Sequence, residues 1–227
     1  MPGNPGAAGD GPSRRLGESR LPMALGALAT GFLRAGLPAQ LRVGNRWLLL
    51  VIIVVFLGVL IIGDPGRIDR DRPWLRVLTD CMLGVITVAN ASSGVVLAVD
   101  IVNGSAAFTS NGKVLVASGS AIWLTNVIIF ALWYWELDRG GPVARARGSA
   151  VPAALVFPEM SSPDYVGTDW YPKFVDYFHF AFSTATSVSP PDVSAIRPWM
   201  KLMMITEEAT SLIVGVLVIS RAVNIFK

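Results

Sequence analysis

Long apolar runs separated by short charged segments dominate this chain. Three runs contain no charged residue, and they cover residues 47–63, 81–99 and 114–135. A fourth run, 199–220, is equally apolar apart from Lys201 and the pair Glu207 and Glu208. Each run reaches or approaches the roughly 20 residues that a helix needs to cross about 30 Å of hydrocarbon. The pattern therefore predicts an all-α integral membrane protein with four membrane-spanning helices.

A shorter apolar segment lies between the third and fourth runs. It begins with the aromatic sequence YPKFVDYFHFAF, favours a helix of about a dozen residues, and is broken at Pro190 and Pro191. Such a helix is too short to cross, which is typical of a re-entrant half-helix enclosed by protein or by a water-filled cavity. Its carbonyl end carries partial negative charge and is rich in hydroxyl groups. Both features favour a cation nearby.

Composition and loops complete the predicted organisation. Hydrophobic residues make up 52% and charged residues 15%, the balance of a bilayer protein. Residues 1–41 are predicted to form a disordered tail followed by an interfacial helix, and residues 42–112 a peripheral two-helix hairpin. Residues 113–227 would form the functional module. Within that module, the loop 140–170 is either a flexible extramembrane cap or a surface for a protein partner.

Several classes of function are disfavoured by the same sequence. The basic residues lie in loops and tail without a nucleic-acid motif, so nucleic acid is not an expected partner. The single cysteine, Cys81, excludes an intrachain disulfide. No nucleophile, base and metal-ligand set is evident, so we expect neither an enzyme nor a cofactor other than a permeant monovalent cation. The predicted spans also lack the arginine series of a voltage sensor.

From Pro172 to about Asn224 the chain resembles the pore module of the tetrameric potassium-channel superfamily. In that family an aromatic pore helix leads into the filter T-V-G-Y-G-D, and a tryptophan and a basic residue then open the inner helix. Trp199 and Lys201 match the start of that inner helix. The filter register, which follows the pore helix, falls on Ser187, Val188, Ser189, Pro190, Pro191 and Asp192. Thr186, just before it, is also expected to line the pore.

The resemblance implies a homotetramer in which the third predicted helix is the outer helix of each pore unit. It also implies an inner-helix face that lines the pore and could form a hydrophobic gate: Ser211, Leu212, Gly215, Ile219 and Val223. Both filter glycines of the family are missing here. Proline cannot adopt the left-handed torsions that alternate filter residues need, so standard potassium selectivity is not expected. The pore would be wider, differently selective, or shut.

Three acidic residues near the predicted pore each allow two interpretations. Glu207 and Glu208 lie inside a span, where an ionised carboxylate must face protein or water. Glu208 could brace the half-helix from behind, or one of the two glutamates could line a wet pathway. Asp192 is either a turn residue or the acid at the pore mouth.

The sequence therefore predicts a cation-conducting pore, with a non-conducting scaffold or accessory protein as the alternative. The arginine-rich, lysine-poor composition resembles that of uncharacterised actinobacterial membrane proteins, which indicates a multi-pass protein of a bacterial inner membrane. A family-like pore requires both termini in the cytoplasm and a half-helix that enters from outside. The distribution of lysine and arginine near the spans leans in the opposite direction.

Overall fold

The computed structural model describes residues 18–65, 68, 72–104, 111–148, 150–167, 170–186 and 192–225. Within these residues there are eight α-helices and one two-stranded sheet. The helices are α1 (Leu21–Ala35), α2 (Leu48–Gly63), α3 (Pro73–Val102), α4 (Gly112–Leu137), α5 (Pro142–Ala146), α6 (Pro163–Val166), α7 (Phe174–Thr186) and α8 (Pro198–Ile225). Antiparallel strands β1 (Leu155–Val156) and β2 (Ser194–Ala195) form the sheet.

Three of these helices, α3, α4 and α8, are long and apolar enough to cross a membrane, which indicates a membrane protein. They correspond to three of the four predicted spans. The remaining one, 47–63, is the apolar helix α2, whose 16 residues extend about 24 Å. That length falls short of the hydrocarbon core, so the four-helix topology stays a prediction.

The central helix of the bundle is α4, which packs against α1, α3, α7 and α8. We call the end of the bundle at which α4 finishes, near Trp135, end A. End B is the end at which α4 begins, where Leu115 joins an apolar cluster with Leu97 of α3 and with Val218 and Ala222 of α8. Helices α3 and α8 therefore run from end A to end B, and α4 runs back.

Helices α1 and α2 form an antiparallel hairpin that enters and leaves the bundle at end A. Arg20, just before α1, donates a hydrogen bond of 2.7 Å to Asp64, just after α2. The turn between the helices reaches the apolar cluster of end B through Leu37 and Leu41. The helix predicted at the membrane surface is thus present as α1, but it packs lengthwise along α4. A Cβ at Gly26 would lie only 3.5 Å from Ile128 of α4.

A buried arginine fastens this hairpin to the middle of α3. The Nη1 group of Arg34 donates to the carbonyl of Ala89 at 2.6 Å and to the hydroxyl of Ser93 at 2.8 Å. Ser93 in turn donates to the carbonyl of Leu41 at 2.7 Å. Hydrogen bonds to a charged group contribute about 1.5–3 kcal/mol each. Among the described residues, no carboxylate pairs with Arg34.

The segment between α4 and α7 is a packed cap over end A. Buried Asp138 accepts hydrogen bonds from the backbone amides of Ala154 and Leu155 and, at 2.7 Å, from the hydroxyl of Tyr177 on α7. These bonds tie the cap to both α4 and α7. The described part of the loop 140–170 therefore packs on the helices that it connects.

The two ends of the described chain lie at opposite ends of the bundle. The carboxylate of Glu18 accepts a hydrogen bond of 2.8 Å from the indole of Trp135, at end A. Ile225, the last residue of α8, packs against the apolar cluster of end B. The structure therefore does not support the expectation that both termini share one side of the membrane.

Candidate pore module

Helix α7 is inserted beside α4 and reaches only the middle of that helix. Its first residue, Phe174, contacts Trp135 with ring centroids 6.2 Å apart. Near its other end, Phe182 contacts Trp123 at 5.6 Å. Trp123 lies close to the midpoint of α4, so α7 runs antiparallel to α4 from end A to mid-depth. Its 13 residues extend about 20 Å, which is too short to span.

The chain that leaves α7 returns to end A. Strand β2 pairs with β1 of the cap, and the amide of Ile196 donates to the carbonyl of Ala154 at 2.9 Å. From Thr186 to Ser194 the chain has eight residue steps, which reach about 26 Å at most. The described residues on the two sides of residues 187–191 thus place the start of α7 and the start of β2 at the same end of the bundle.

Aromatic packing holds α7 inside the bundle. Tyr177, Phe180 and Ala181 are fully buried, and the ring of Phe180 lies 4.9 Å from the ring of Tyr134 on α4. The hydroxyl of Tyr177 donates to Asp138 at 2.7 Å, which ties this face of α7 to the end of α4. The buried residues of the sequence FVDYFHFAF recur every three or four positions and therefore lie on one face of α7: Phe174, Tyr177, Phe180 and Ala181.

The amino end of α7 is anchored by two carboxylates. Glu18 accepts a hydrogen bond of 2.7 Å from the amide of Phe174, which is otherwise an unpaired donor of the first turn. Asp176 accepts one of 2.7 Å from the amide of Lys173. Negative charge at a helix amino end is stabilising, so both carboxylates fix the point at which α7 enters the bundle.

The fully buried carboxylate of the module is Glu207 on α8. The hydroxyl of Tyr134 donates to its Oε2 at 2.7 Å, while Oε1 has no partner among the described residues. Asn126 of α4 donates to Ser211 at 3.0 Å and, more weakly, to the backbone carbonyl of Glu207 at 3.4 Å. Tyr134 therefore connects the acid on α8 to Phe180 on α7.

Glu208 lies on another face of α8 and is only partly buried. It forms no hydrogen bond or ion pair within the described residues. The two adjacent glutamates point about 100° apart on the helix, which separates their surroundings. Glu207 contacts Tyr134, whose ring packs on the half-helix, and the two interpretations of Glu208 remain predictions.

The residues predicted to line an inner gate fall into two groups. Ser211 is buried against Asn126 and faces the interior of the subunit, because it lies on the same side of α8 as Glu207. The side chains of Leu212, Ile219 and Val223 are exposed, and a Cβ at Gly215 would meet no atom within 4 Å. These four residues share the uncovered face of α8 with Glu208.

Most of the predicted filter falls outside the described residues. Ser187, Val188, Ser189, Pro190 and Pro191 belong to that part of the chain. Thr186 is the last residue of α7, and its hydroxyl donates to the carbonyl of Ser183 at 3.0 Å. Asp192 is exposed where the chain approaches β2. Its two interpretations, turn residue and pore-mouth acid, both remain predictions.

Sequence reasoning missed the partners of these groups. Asn126 and Tyr134 lie in the apolar run of α4, where a polar side chain is a signal for a contact with another helix. Glu18 and Asp138 carry no comparable signal, since charged residues near chain ends and loops are ordinarily solvated. Among the described residues, no group of three or more His, Cys, Asp and Glu side chains could hold a metal ion.

Comparison with known proteins gives no match, whether to a protein-family model, to a characterised protein or to a solved structure. The functional argument therefore rests on the geometry of the site.

Proposed function

We propose that this chain is the subunit of a cation-conducting pore that lacks standard potassium selectivity. The observation that carries the proposal is the position of α7. A helix that ends at mid-depth beside two long apolar helices, with its chain returning to the same end, is tolerated within a membrane only where protein or a water-filled cavity surrounds it. The carbonyl end of α7 and its hydroxyl groups supply the partial negative charge that attracts a cation.

The uncovered face of α8 supports an assembly of several copies. Only 22% of the most apolar stretch of α8 is buried, against 61% for α4. Glu208 lies on this face, ten residues or about 15 Å along the helix from Pro198. A carboxylate at that depth costs several kcal/mol in lipid unless water or protein covers it. Four copies arranged with this face toward a common axis would place Glu208 beside a wet path.

The distribution of basic residues supports a cytoplasmic end A. Nine described lysines and arginines lie at end A: Arg20, Arg72, Arg76, Arg139, Arg145, Arg147, Lys173, Arg197 and Lys201. Four lie at end B: Arg42, Arg46, Lys113 and Arg221. Cytoplasmic loops carry the excess of lysine and arginine. In the proposed pore, α7 thus enters from the cytoplasm, which is the reverse of the orientation that the potassium-channel resemblance implies.

The test is single-channel recording across planar bilayers that contain the purified protein, in potassium, sodium and chloride gradients. We expect unitary currents that reverse near the cation potential. Glu208→Gln should lower the cation conductance several-fold, because it removes a charge from the axis. Glu159→Gln, an identical change in the cap, is the matched control and should leave the current unchanged.

A non-conducting scaffold is the second candidate, and the proline pair at Pro190 and Pro191 favours it because neither residue can form a filter of inward-pointing carbonyls. Persistent electrical silence from intact tetramers would support the scaffold and overturn the pore. A Pro190→Gly variant sharpens the distinction, since currents that appear only in this variant would identify a pore closed by its own filter segment.

A further inference from the structure

A second polar site lies at end A, in a cavity lined by residues of five helices, α1 to α5. The cavity has a volume of about 60 Å³, which is room for roughly four to six water-sized groups. Its lining includes Arg20, Arg72, Arg76, Glu136, Leu60 and Leu75. We call it the arginine cavity. Its three arginines come from separate segments of the chain, before α1, before α3 and within the first turn of α3.

The arginines of this cavity have donors to spare. Arg20 uses Nη2 for the ion pair with Asp64, whereas its Nε is buried and has no partner among the described residues. The Nε of Arg76 lies 3.7 Å from Oε1 of Glu136, which is longer than a hydrogen bond. Among the described residues that line the cavity, Glu136 is the one acid. Next to the lining, Asp64 pairs with Arg20, and Asp80 interacts electrostatically with Arg76. Three guanidinium groups and one carboxylate thus line the cavity itself, with two further carboxylates beside it.

The amino end of α3 adds to the positive field. This helix has 30 residues, Pro73 at its start, and no side-chain cap from Arg72. Pro73 has no N–H, and the amide of Leu75 donates to the carbonyl of Arg72 at 3.0 Å, so the helix contributes mainly its dipole, which favours negative charge at this point. The two features are independent: the arginines provide charge and fork-shaped donors, and the helix provides a positive end.

We propose that the arginine cavity binds the phosphate group of an anionic ligand. Guanidinium groups bind phosphate through paired hydrogen bonds, and a phosphate group matches the size of the cavity. The remaining lining is mostly apolar, and Trp74, adjacent in sequence to the lining residue Leu75, is exposed at the surface. An acyl chain could lie along that surface, so the headgroup of an anionic phospholipid is one source of the phosphate and a soluble phosphate ion is the other.

The experiment measures the thermal unfolding midpoint of the full chain in a nonionic detergent. Three additives are titrated separately: dioctanoyl phosphatidylglycerol, dioctanoyl phosphatidylcholine and inorganic phosphate. A ligand that binds the folded state raises the midpoint as its concentration exceeds the dissociation constant. We expect phosphatidylglycerol or inorganic phosphate to raise the midpoint, and zwitterionic phosphatidylcholine to leave it unchanged.

Variants assign the effect to the cavity. Arg72→Gln and Arg76→Gln should each weaken binding by about tenfold, the loss expected for one charge-assisted hydrogen bond. Arg147→Gln removes the same charge at the same end but outside the cavity, so binding should be unchanged. Glu136→Gln should strengthen binding several-fold, because it removes the carboxylate that repels an anion and frees Arg76.

The outcomes separate the two sources and the failure of the proposal. A response to phosphatidylglycerol alone identifies the lipid headgroup, and a response to inorganic phosphate identifies a soluble ligand. The proposal is overturned if neither anion raises the midpoint, or if Arg147→Gln weakens binding as much as Arg72→Gln and Arg76→Gln. An anion bound in this cavity should bind more tightly to Glu136→Gln and less tightly to the arginine variants. Weaker binding to Glu136→Gln would therefore also overturn the proposal.

Discussion

Two segments of this chain enter the helix bundle from end A and return to the same end, and they are held in different ways. The α1–α2 hairpin is fastened by a charged side chain, because Arg34 donates to the backbone and hydroxyl groups of α3. Its second helix exposes a broad apolar face, with the side chains of Val55 and Ile62 exposed. Helix α7 is fastened mainly by packed aromatic rings and by the hydroxyl of Tyr177, with the carboxylates of Glu18 and Asp176 confined to its amino end.

This difference indicates that the α1–α2 hairpin is suited to contact with lipid, whereas α7 is suited to contact with other protein segments. A hairpin whose outer face is apolar needs no protein cover, since lipid is as apolar as its side chains. Helix α7 ends in hydroxyl groups at mid-depth and packs one face against α4 and α8, while Val175 and His179 are exposed on its other side. The first arrangement supports a peripheral structural role for the hairpin, and the second supports a role in a polar pathway.

The largest expected effect concerns the side of the membrane on which both segments enter. In a Cys81→Ser background, Ser162→Cys places one thiol on the cap at end A, and Asn111→Cys places one at end B. In sealed, right-side-out vesicles, an impermeant maleimide should label Asn111→Cys and leave Ser162→Cys unlabelled until the membrane is opened. The reverse pattern would put end A outside and support the orientation implied by the potassium-channel resemblance.

Truncating one apolar side chain in each segment tests the packing contrast. Phe180→Ala in α7 should lower the free energy of unfolding by about 3–5 kcal/mol, the usual cost for a buried phenylalanine. Val55→Ala in α2 should change it by no more than about 0.5 kcal/mol, because this side chain is 59% exposed. Chemical unfolding in mixed micelles measures both. Equal losses would show that the hairpin face is covered in the assembled protein.

Removing the charged fastening of the hairpin should have a somewhat smaller effect. Arg34→Ala breaks the bonds to Ala89 and Ser93, so we expect a loss of about 3 kcal/mol. Arg42→Ala, at the hairpin turn, removes the same charge outside this contact and should cost well under 1 kcal/mol. If the two variants unfold at the same denaturant concentration, the Arg34 contact does not hold the hairpin.

The smallest effect is expected for the Tyr134 hydroxyl, which joins α4 to α8 beside α7. Tyr134→Phe keeps the ring stack on Phe180 but leaves the Glu207 carboxyl without its donor, which should cost about 1–3 kcal/mol. Tyr165→Phe is the matched control, since Tyr165 is 91% exposed and should be silent. No change in the free energy of unfolding of Tyr134→Phe would show that this hydrogen bond does not stabilise the fold.

The sequence predicts α3, α4 and α8 from their long apolar runs, because a helix satisfies every backbone polar group of such a run within a membrane. It predicts α7 because its aromatic run is too short to cross and ends at prolines. The insertion of α1 could not be foreseen, since the burial of Arg34 depends on carbonyl and hydroxyl groups of α3 that lie 55 and 59 positions further along the chain.

The different surroundings of Glu207 and Glu208 could not be predicted from the sequence either. Adjacent residues on a helix always point in different directions, and only the rotation of α8 against α4 decides which one meets Tyr134. The apolar pattern of α8 does not define that rotation, because large apolar side chains occur on nearly all of its sides. For the same reason the family register placed Ser211 on the pore face, whereas it packs against Asn126.

The hydrogen bond between Glu18 and Phe174 sets an order of events during synthesis. Its two residues are 156 positions apart, so at about 5–20 residues per second the glutamate emerges roughly 8–30 s before its partner. The indole of Trp135, its other partner, also emerges later. The amino-end anchor of α7 is therefore completed only after α4 and the cap have been synthesised.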